Sequence, residues 1–358
     1  MYLFRHSLTV TVRRVVSARR GLVAVALTCC ALPLQTAHAG NNCPSFVYMQ
    51  GGTVQPSAIV EASGLAASRH TPDFFYTHND NTNDERIFAL NDAGQLRGTW
   101  TLDIPTSVRD PEDIAVGPGP ASGVSYLYLG DIGDNNNVRN DIIVYRAIEP
   151  AISAVGAPVV ADLPAESIRL SYPDGPRDSE TLMIDTNGDI YLVAKRLTPG
   201  RVYRAPFPQS TTNVNVLQHV GQMQWDLIQP TGGDIAADGS AIIVRGYFRI
   251  DLWLRPAGMN IGDVLSQVGC SATVVFEPQG EAVCFRNDLL DYATVSEGNN
   301  PPLNFLNRNL PAPTIDGFVQ AVLFDASGTV SLAVYDFNED GLLDGRDVDG
   351  LVELLIEG

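Results

Sequence analysis

Lysine is almost missing. The 358-residue chain contains one, Lys195, and carries a formal net charge of −18 with 41 acidic residues. A surface this acidic repels nucleic acid and anionic lipid, which argues against both as partners. Cysteine is sparse, five in all, with none of the paired spacings of a zinc site. No apolar run reaches the ~20 residues that a membrane-spanning helix needs. The absence of a Gly-x-Ser-x-Gly elbow removes an α/β-hydrolase triad, and there is no Walker loop or dinucleotide fingerprint. The Gly130-Asp-Ile-Gly-Asp-Asn135 run is glycine-rich, but its acids repel phosphate. Long helical patterns are scarce, whereas Gly (32) and Pro (23) are frequent. That composition favours many short strands joined by turns.

The N-terminus reads as a targeting segment. Arg5, Arg13, Arg14, Arg19 and Arg20 precede an apolar run over residues 21–34, and Ala37-His38-Ala39 supplies a small-x-small cleavage pattern. Residues 1–39 are therefore expected to leave as a signal peptide, giving a secreted protein, extracellular or periplasmic. Loss of those five arginines takes the net charge from −18 to −23. Such a charge suits divalent cations, cationic partners or a salty medium. Export permits a disulfide among Cys43, Cys270 and Cys284. Cys270 and Cys284 are the nearest pair in sequence and form the candidate bridge; Cys43 tying an N-terminal strand to the end of the repeat is the alternative.

Residues 43–310 repeat one theme five times. Each unit opens on an acidic residue at a short apolar strand, with markers at Glu61, Glu112, Glu180, Asp234 and Glu281. Second strands are expected over 74–80, 126–135, 190–196, 241–249 and 292–298. Third strands follow over 86–90, 142–147, 202–207, 251–255 and 303–306, with a fourth in some units, as at 95–102 and 167–172. A period near fifty residues with three or four strands per unit is that of a β-propeller. The expected fold is all-β: a propeller over residues 40–308, five-bladed, or six-bladed if 318–334 forms another blade. A strand near residues 45–50 would close the ring.

The matching segments are 61–65, 110–115, 130–135 with Arg139, 145–150, 179–182, 231–235 with Arg245 and Tyr247, and 280–282 with Ser296, Glu297 and Gly298. In these the chain resembles a family of exported bacterial β-propellers of unassigned activity. The resemblance implies the architecture and transfers no chemistry.

In a propeller the entry to strand one and the exit from strand two of every blade lie on the same face. The markers should therefore meet His78, Asn79, Asp80, Asp131, Asp134, Asn135, Lys195, Arg196, the stretch from Arg245 to Arg249, Ser296 and Glu297 around the channel mouth, together with Asp113. Two roles stand side by side for the carboxylates. They can accept backbone N–H groups from neighbouring blades, or they can hold a cation or ligand, calcium above all, through hard oxygen donors. His78 is the one histidine expected on this face.

The strongest chemical motif lies at the C-terminus: Asp336-Phe-Asn338-Glu-Asp340-Gly341-Leu342-Leu343-Asp344-Gly-Arg-Asp347. Oxygen side chains occupy loop positions 1, 3, 5, 9 and 12. Gly341 falls at the sharp turn, Leu342 offers its carbonyl, and Leu343 points inward. Val348, Leu351, Val352, Leu354 and Leu355 form an apolar stripe on a following helix. Residues 335–358 resemble one segment of a dockerin, preceded from residue 309 by a linker over 309–317 and a β-like stretch over Val330–Tyr335. The resemblance implies a cohesin-like or cell-surface partner. The expected function is that of a secreted calcium-binding propeller acting as a binding or display module, tethered through its tail, with a small molecule or glycan at the channel mouth. The alternative is a metal-dependent hydrolase of lactones, phosphoesters or glycans at that mouth, so the sequence leaves open whether the protein is an enzyme.

Overall fold

The computed structural model describes residues 43–55, 57–195, 200–224, 229–286, 290–310, 318, 334–336, 343, 347, 348, 350 and 351. Its first strand, β1 (Phe46–Thr53), is followed by twenty more and one short helix. Blade 1 comprises β2 (Ala62–Ala67), β3 (Phe74–Asn79), β4 (Arg86–Asn91) and β5 (Leu96–Asp103). Blade 2 comprises β6 (Pro111–Pro118), β7 (Ser125–Asp131), β8 (Ile142–Ile148) and β9 (Val159–Ser171). Blade 3 holds β10 (Ser179–Ile184), β11 (Ile190–Ala194), β12 (Arg201–Ala205) and β14 (Gln218–Gln222), with the short β13 (Asn215–Val216) pairing instead with β9. Blade 4 holds β15 (Pro230–Ile235), β16 (Ala241–Gly246), β17 (Arg249–Leu254) and β18 (Cys270–Ser271), with α1 (Ile261–Leu265) before its last strand. Blade 5 holds β19 (Gly280–Phe285), β20 (Tyr292–Ser296) and β21 (Pro302–Arg308), and β1 completes it as the outermost strand.

Alternation along the strands explains why five such sheets make one ring. Successive side chains point to opposite faces, and both faces of these blades are apolar. Leu127 and Leu129 on β7 pack toward blade 1, whereas Tyr126 and Tyr128 pack toward blade 3. On β16, Ile242 and Val244 meet blade 3, and Ile243 meets blade 5. Five apolar clusters result, one between each pair of consecutive blades, including blade 5 against blade 1. The innermost strands β2, β6, β10, β15 and β19 each pack on the next, and β19 packs on β2. The fold is a closed five-bladed β-propeller. The ring is complete without residues 318–334, so the sixth blade is not needed; apart from Phe318 and Val334 that segment lies outside the described residues.

Outer strands tie the blades further. The first half of β9 runs parallel to β5, and its second half is antiparallel to β8, so one strand joins blades 1 and 2. The disulfide corrects the sequence-based pairing: Cys43 is bonded to Cys270, and Cys284 is a buried free thiol. Cys270 sits on the outermost strand of its blade and Cys284 on the innermost strand of the next, so their short sequence separation does not bring them together. The bridge instead fastens the N-terminal strand of blade 5 to the outer edge of blade 4.

At the C-terminus, Phe318, Val334, Tyr335, Leu343 and Leu351 form an apolar cluster. Val334 and Tyr335, at the end of the expected β-like stretch, are helical, and the rest of that stretch lies outside the described residues. Leu343 and Leu351 are buried, whereas Val348, expected in the stripe, is exposed. Asp347 is buried. Asn338, Asp340, Leu342 and Asp344 lie outside the described residues, as do Arg196, Val352, Leu354 and Leu355. Among the described residues no helix is long and apolar enough to cross a membrane.

Candidate functional site at the channel mouth

All five innermost strands carry a register irregularity at their entry, where pairing to the second strand slips. A bulge of this kind re-aims one side chain, and the residues so displaced are Ser63, Glu112, Glu180, Thr231 and Glu281. Glu112, Glu180 and Glu281 are therefore equivalent positions. Glu61 and Asp234 are not: Glu61 precedes its strand, and Asp234 lies further in on β15. At the bulge, blades 1 and 4 carry hydroxyls. Ser63 donates to the carbonyl of Glu112 at 2.6 Å, and Thr231 lies 3.4 Å from that of Glu281, so each hydroxyl grips the bulge of the next blade.

The exits of the second strands come to the same end of the channel. Asp80 donates its N–H to the carbonyl of Glu61, Lys195 to that of Asp178, and Glu297 to that of Gln279. One oxygen each of Asp80, Asp110 and Glu112 lie within 4.8 Å of one another. Glu180 is ion-paired with Lys195. The Lys195 ammonium lies 3.5 Å from the Tyr247 hydroxyl and 5.7 Å from its ring centroid. Burial and then the charge of Glu281 raise the Tyr247 phenol above its ordinary range. The mouth thus gathers groups from all five blades.

Crowded carboxylates in a half-buried site resist ionisation. Burial and then Asp80 and Asp110 hold Glu112 well above the ordinary carboxylate range. Burial, Asp110, Glu281 and Glu61 push Asp80 up to about 7, with Lys195 opposing them. Burial and then Glu281 push Glu297 up to about 8. Asp110 is raised by burial and by Asp178. Gly133 makes the clustering sterically feasible: a Cβ there would stand 2.3 Å from Glu112 Oε1 and 2.5 Å from Asp110 Cγ.

Several residues expected at the mouth serve the scaffold instead. His78 is fully buried beneath Gly64, with Nδ1 3.1 Å from the carbonyl of Asn79; burial lowers its pKa to about 4. Asn79 accepts the N–H groups of Val60 and Glu61 and donates to Ala58, fixing the loop that carries Glu61. Asp131 pairs with Arg139 at 2.8 Å, while Asp134 accepts the N–H groups of Val138 and Arg139. Arg245 is fully buried against Glu277 and the carbonyl of Ala282. Arg249 pairs with Asp251. Asp113 and Asp234 accept backbone N–H groups across blade boundaries. Asn135 is exposed and lines a pocket beside Asp110 and Gly133.

Asp110 and Asp178 escaped the candidate set, whereas Tyr247 and Glu297 lie in the second-strand exits expected at the mouth. The signal for the first two was present, since Asp110 and Asp178 stand two residues before Glu112 and Glu180, the spacing that puts strand side chains on one face. Tyr247 and Glu297 follow the last paired residues of their second strands, Gly246 and Ser296, as Asp80 follows Asn79.

The donor set is hard oxygen throughout, which fits calcium or magnesium and not a soft metal. Glu180 Oε2 is buried with no hydrogen-bond partner, an acceptor left over for a cation or a donor-bearing ligand. Asp80, Asp110 and Glu112 would hold the ion.

No family model and no curated protein matches this chain. Among solved structures it is similar to virginiamycin B lyase from Staphylococcus aureus, with 11% identity over 68% of this chain and 65% of that one, at a TM-score of 0.36. It is also similar to a streptogramin B lyase, with 10% identity over 74% of this chain and 98% of that one, at a TM-score of 0.36. The chain thus spans 65% of the length of the first. Likeness of this order assigns no substrate and no catalytic residue.

Proposed function

We propose that this protein is an exported, calcium-dependent binding propeller whose ligand site is the acidic channel mouth. The observation that carries the reading is the convergence of Asp80, Asp110 and Glu112 from two blades onto one point, with room kept by Gly133. Such a cluster is held together at a cost in repulsion unless protons or a cation neutralise it. Calcium supplies that charge and offers open coordination positions to oxygen atoms of a small molecule or glycan. A second calcium belongs to the loop from Asp336 to Asp347, where the oxygen spacing, the inward Leu343 and the buried Asp347 agree with a metal-gripping turn. That unit is the tether to a cohesin-like or surface partner.

Calorimetric titration of calcium into the full chain tests this. Two sites are expected, one abolished by Glu112→Gln and the other by Asp340→Asn. A titration that Glu112→Gln leaves unchanged removes the mouth from the account. The hydrolase alternative draws on Tyr247 and Lys195, proton-bearing groups beside the carboxylates. Turnover of a lactone or phosphoester panel that requires calcium and is lost in Glu112→Gln would establish it.

A further inference from the structure

The two ends of the channel are chemically opposite. The innermost strands begin at the carboxylate-rich mouth, and their far ends open into a second pocket of about 270 Å³. It is lined by Val116, Pro118, Val124 and Ile184, with Arg69, Ser125 and Thr186 as its polar side chains and no acid among its walls. In a chain with a net charge of −18, a pocket without a carboxylate in its lining is a local reversal.

Its hydrogen-bonding inventory is reversed as well. The Arg69 guanidinium makes one long hydrogen bond, 3.5 Å to the carbonyl of Val116. Asp234 is near enough to feel that charge, but its carboxylate accepts the N–H groups of Ile235 and Phe285 and makes no ion pair with Arg69. Ser125 Oγ is buried with no partner. A half-buried guanidinium with spare donors and a buried hydroxyl with no partner face one apolar cleft, and such donors favour a ligand that brings acceptors. The main chain around Arg69 is also fixed, because Glu149 accepts the Arg69 N–H at 3.0 Å and the Ser68 hydroxyl at 2.7 Å.

We infer that this far pocket binds a small organic monoanion, a carboxylate on a short apolar body, with Arg69 as the charge anchor and Ser125 as a second donor. The volume sits near the small end for ligand pockets, and an apolar lining with few convergent polar groups is their usual make-up. The inference is independent of calcium at the opposite mouth.

Ligand-observed saturation-transfer NMR and calorimetry on the full chain, with hexanoate as probe and hexan-1-ol and hexylamine as controls, test it. Hexanoate is expected to bind at least ~10-fold more tightly than either control, equivalent to about 1.4 kcal/mol. Arg69→Gln should abolish that preference, Arg69→Lys should retain part of it, and Ser125→Ala should weaken hexanoate by about 3-fold. Ala236→Trp, which fills the pocket, should remove binding of all three. Calcium binding and the thermal midpoint of each variant report whether the propeller is intact. Equal binding of hexanol, an unchanged affinity in Arg69→Gln, or no hexanoate binding to the intact protein would each overturn the inference.

Discussion

The carboxylate of Asp113, on the innermost strand of blade 2, accepts the N–H of Leu182 on the innermost strand of blade 3 at 2.8 Å while its other oxygen accepts the N–H of Ile114, also at 2.8 Å. Asp234 repeats the clasp between blades 4 and 5, with Ile235 at 2.8 Å and Phe285 at 2.9 Å. These two acids hold blades together from within the ring, as Asp178 does at the mouth by accepting the N–H of Asp134 at 2.8 Å. Asp113→Ala strands buried N–H groups in a dry interface and should cost about 2–4 kcal/mol in urea unfolding, with calcium affinity at the mouth unchanged. A loss of calcium binding without loss of stability would reverse the assignment.

The mouth gives stability a pH dependence of definite sign. Asp80 and Glu297 have folded pKa values of about 7 and about 8, above their ordinary 3.8 and 4.5. Their contribution is complete below the ordinary values and is lost as pH rises through 7 to 8. Without divalent cations the thermal midpoint should fall progressively from about pH 4 to about pH 8 and level off above that. Calcium competes with those protons, so its affinity should rise over the same interval and restore the midpoint. Thermal scans with calcium and with chelator at each pH measure both effects.

Gly133 is the steric gate of the carboxylate cluster. Gly133→Ala places a methyl group against Glu112 and Asp110, and one of them must move. Calcium affinity at the mouth should fall by roughly 10-fold, about 1.4 kcal/mol, while the tail site is untouched. Calorimetry on the variant distinguishes the two.

The Cys43–Cys270 bridge closes a loop of 227 residues and pins β1 beside β21. Reduction, or Cys43→Ser, should lower stability by about 2–4 kcal/mol and expose β1 to limited proteolysis before the rest of the ring. Cys284, buried on β19, should react with a thiol reagent only after unfolding.

Much of the ring was legible in the sequence because its period, strand alternation and turn spacing are local signals. The five units and the closing N-terminal strand follow from them. Exact equivalence among the acidic markers did not, because the bulge that aims Glu112, Glu180 and Glu281 into the mouth is a pairing irregularity invisible in one strand alone. Asp234 looked like a marker and is an inter-blade clasp three positions deeper than the bulge residue Thr231. His78 was the one histidine expected on the channel face and is instead fully buried beneath Gly64. The disulfide was misread for a related reason: sequence distance says nothing about which strand of a blade lies at the hub and which at the rim.

Crystals of the full chain soaked in terbium, a calcium surrogate with strong anomalous scattering, place the ion directly. The account predicts a peak bounded by Asp80, Asp110 and Glu112, absent in Glu112→Gln. A map with density at the C-terminal loop and none at the channel mouth would contradict it.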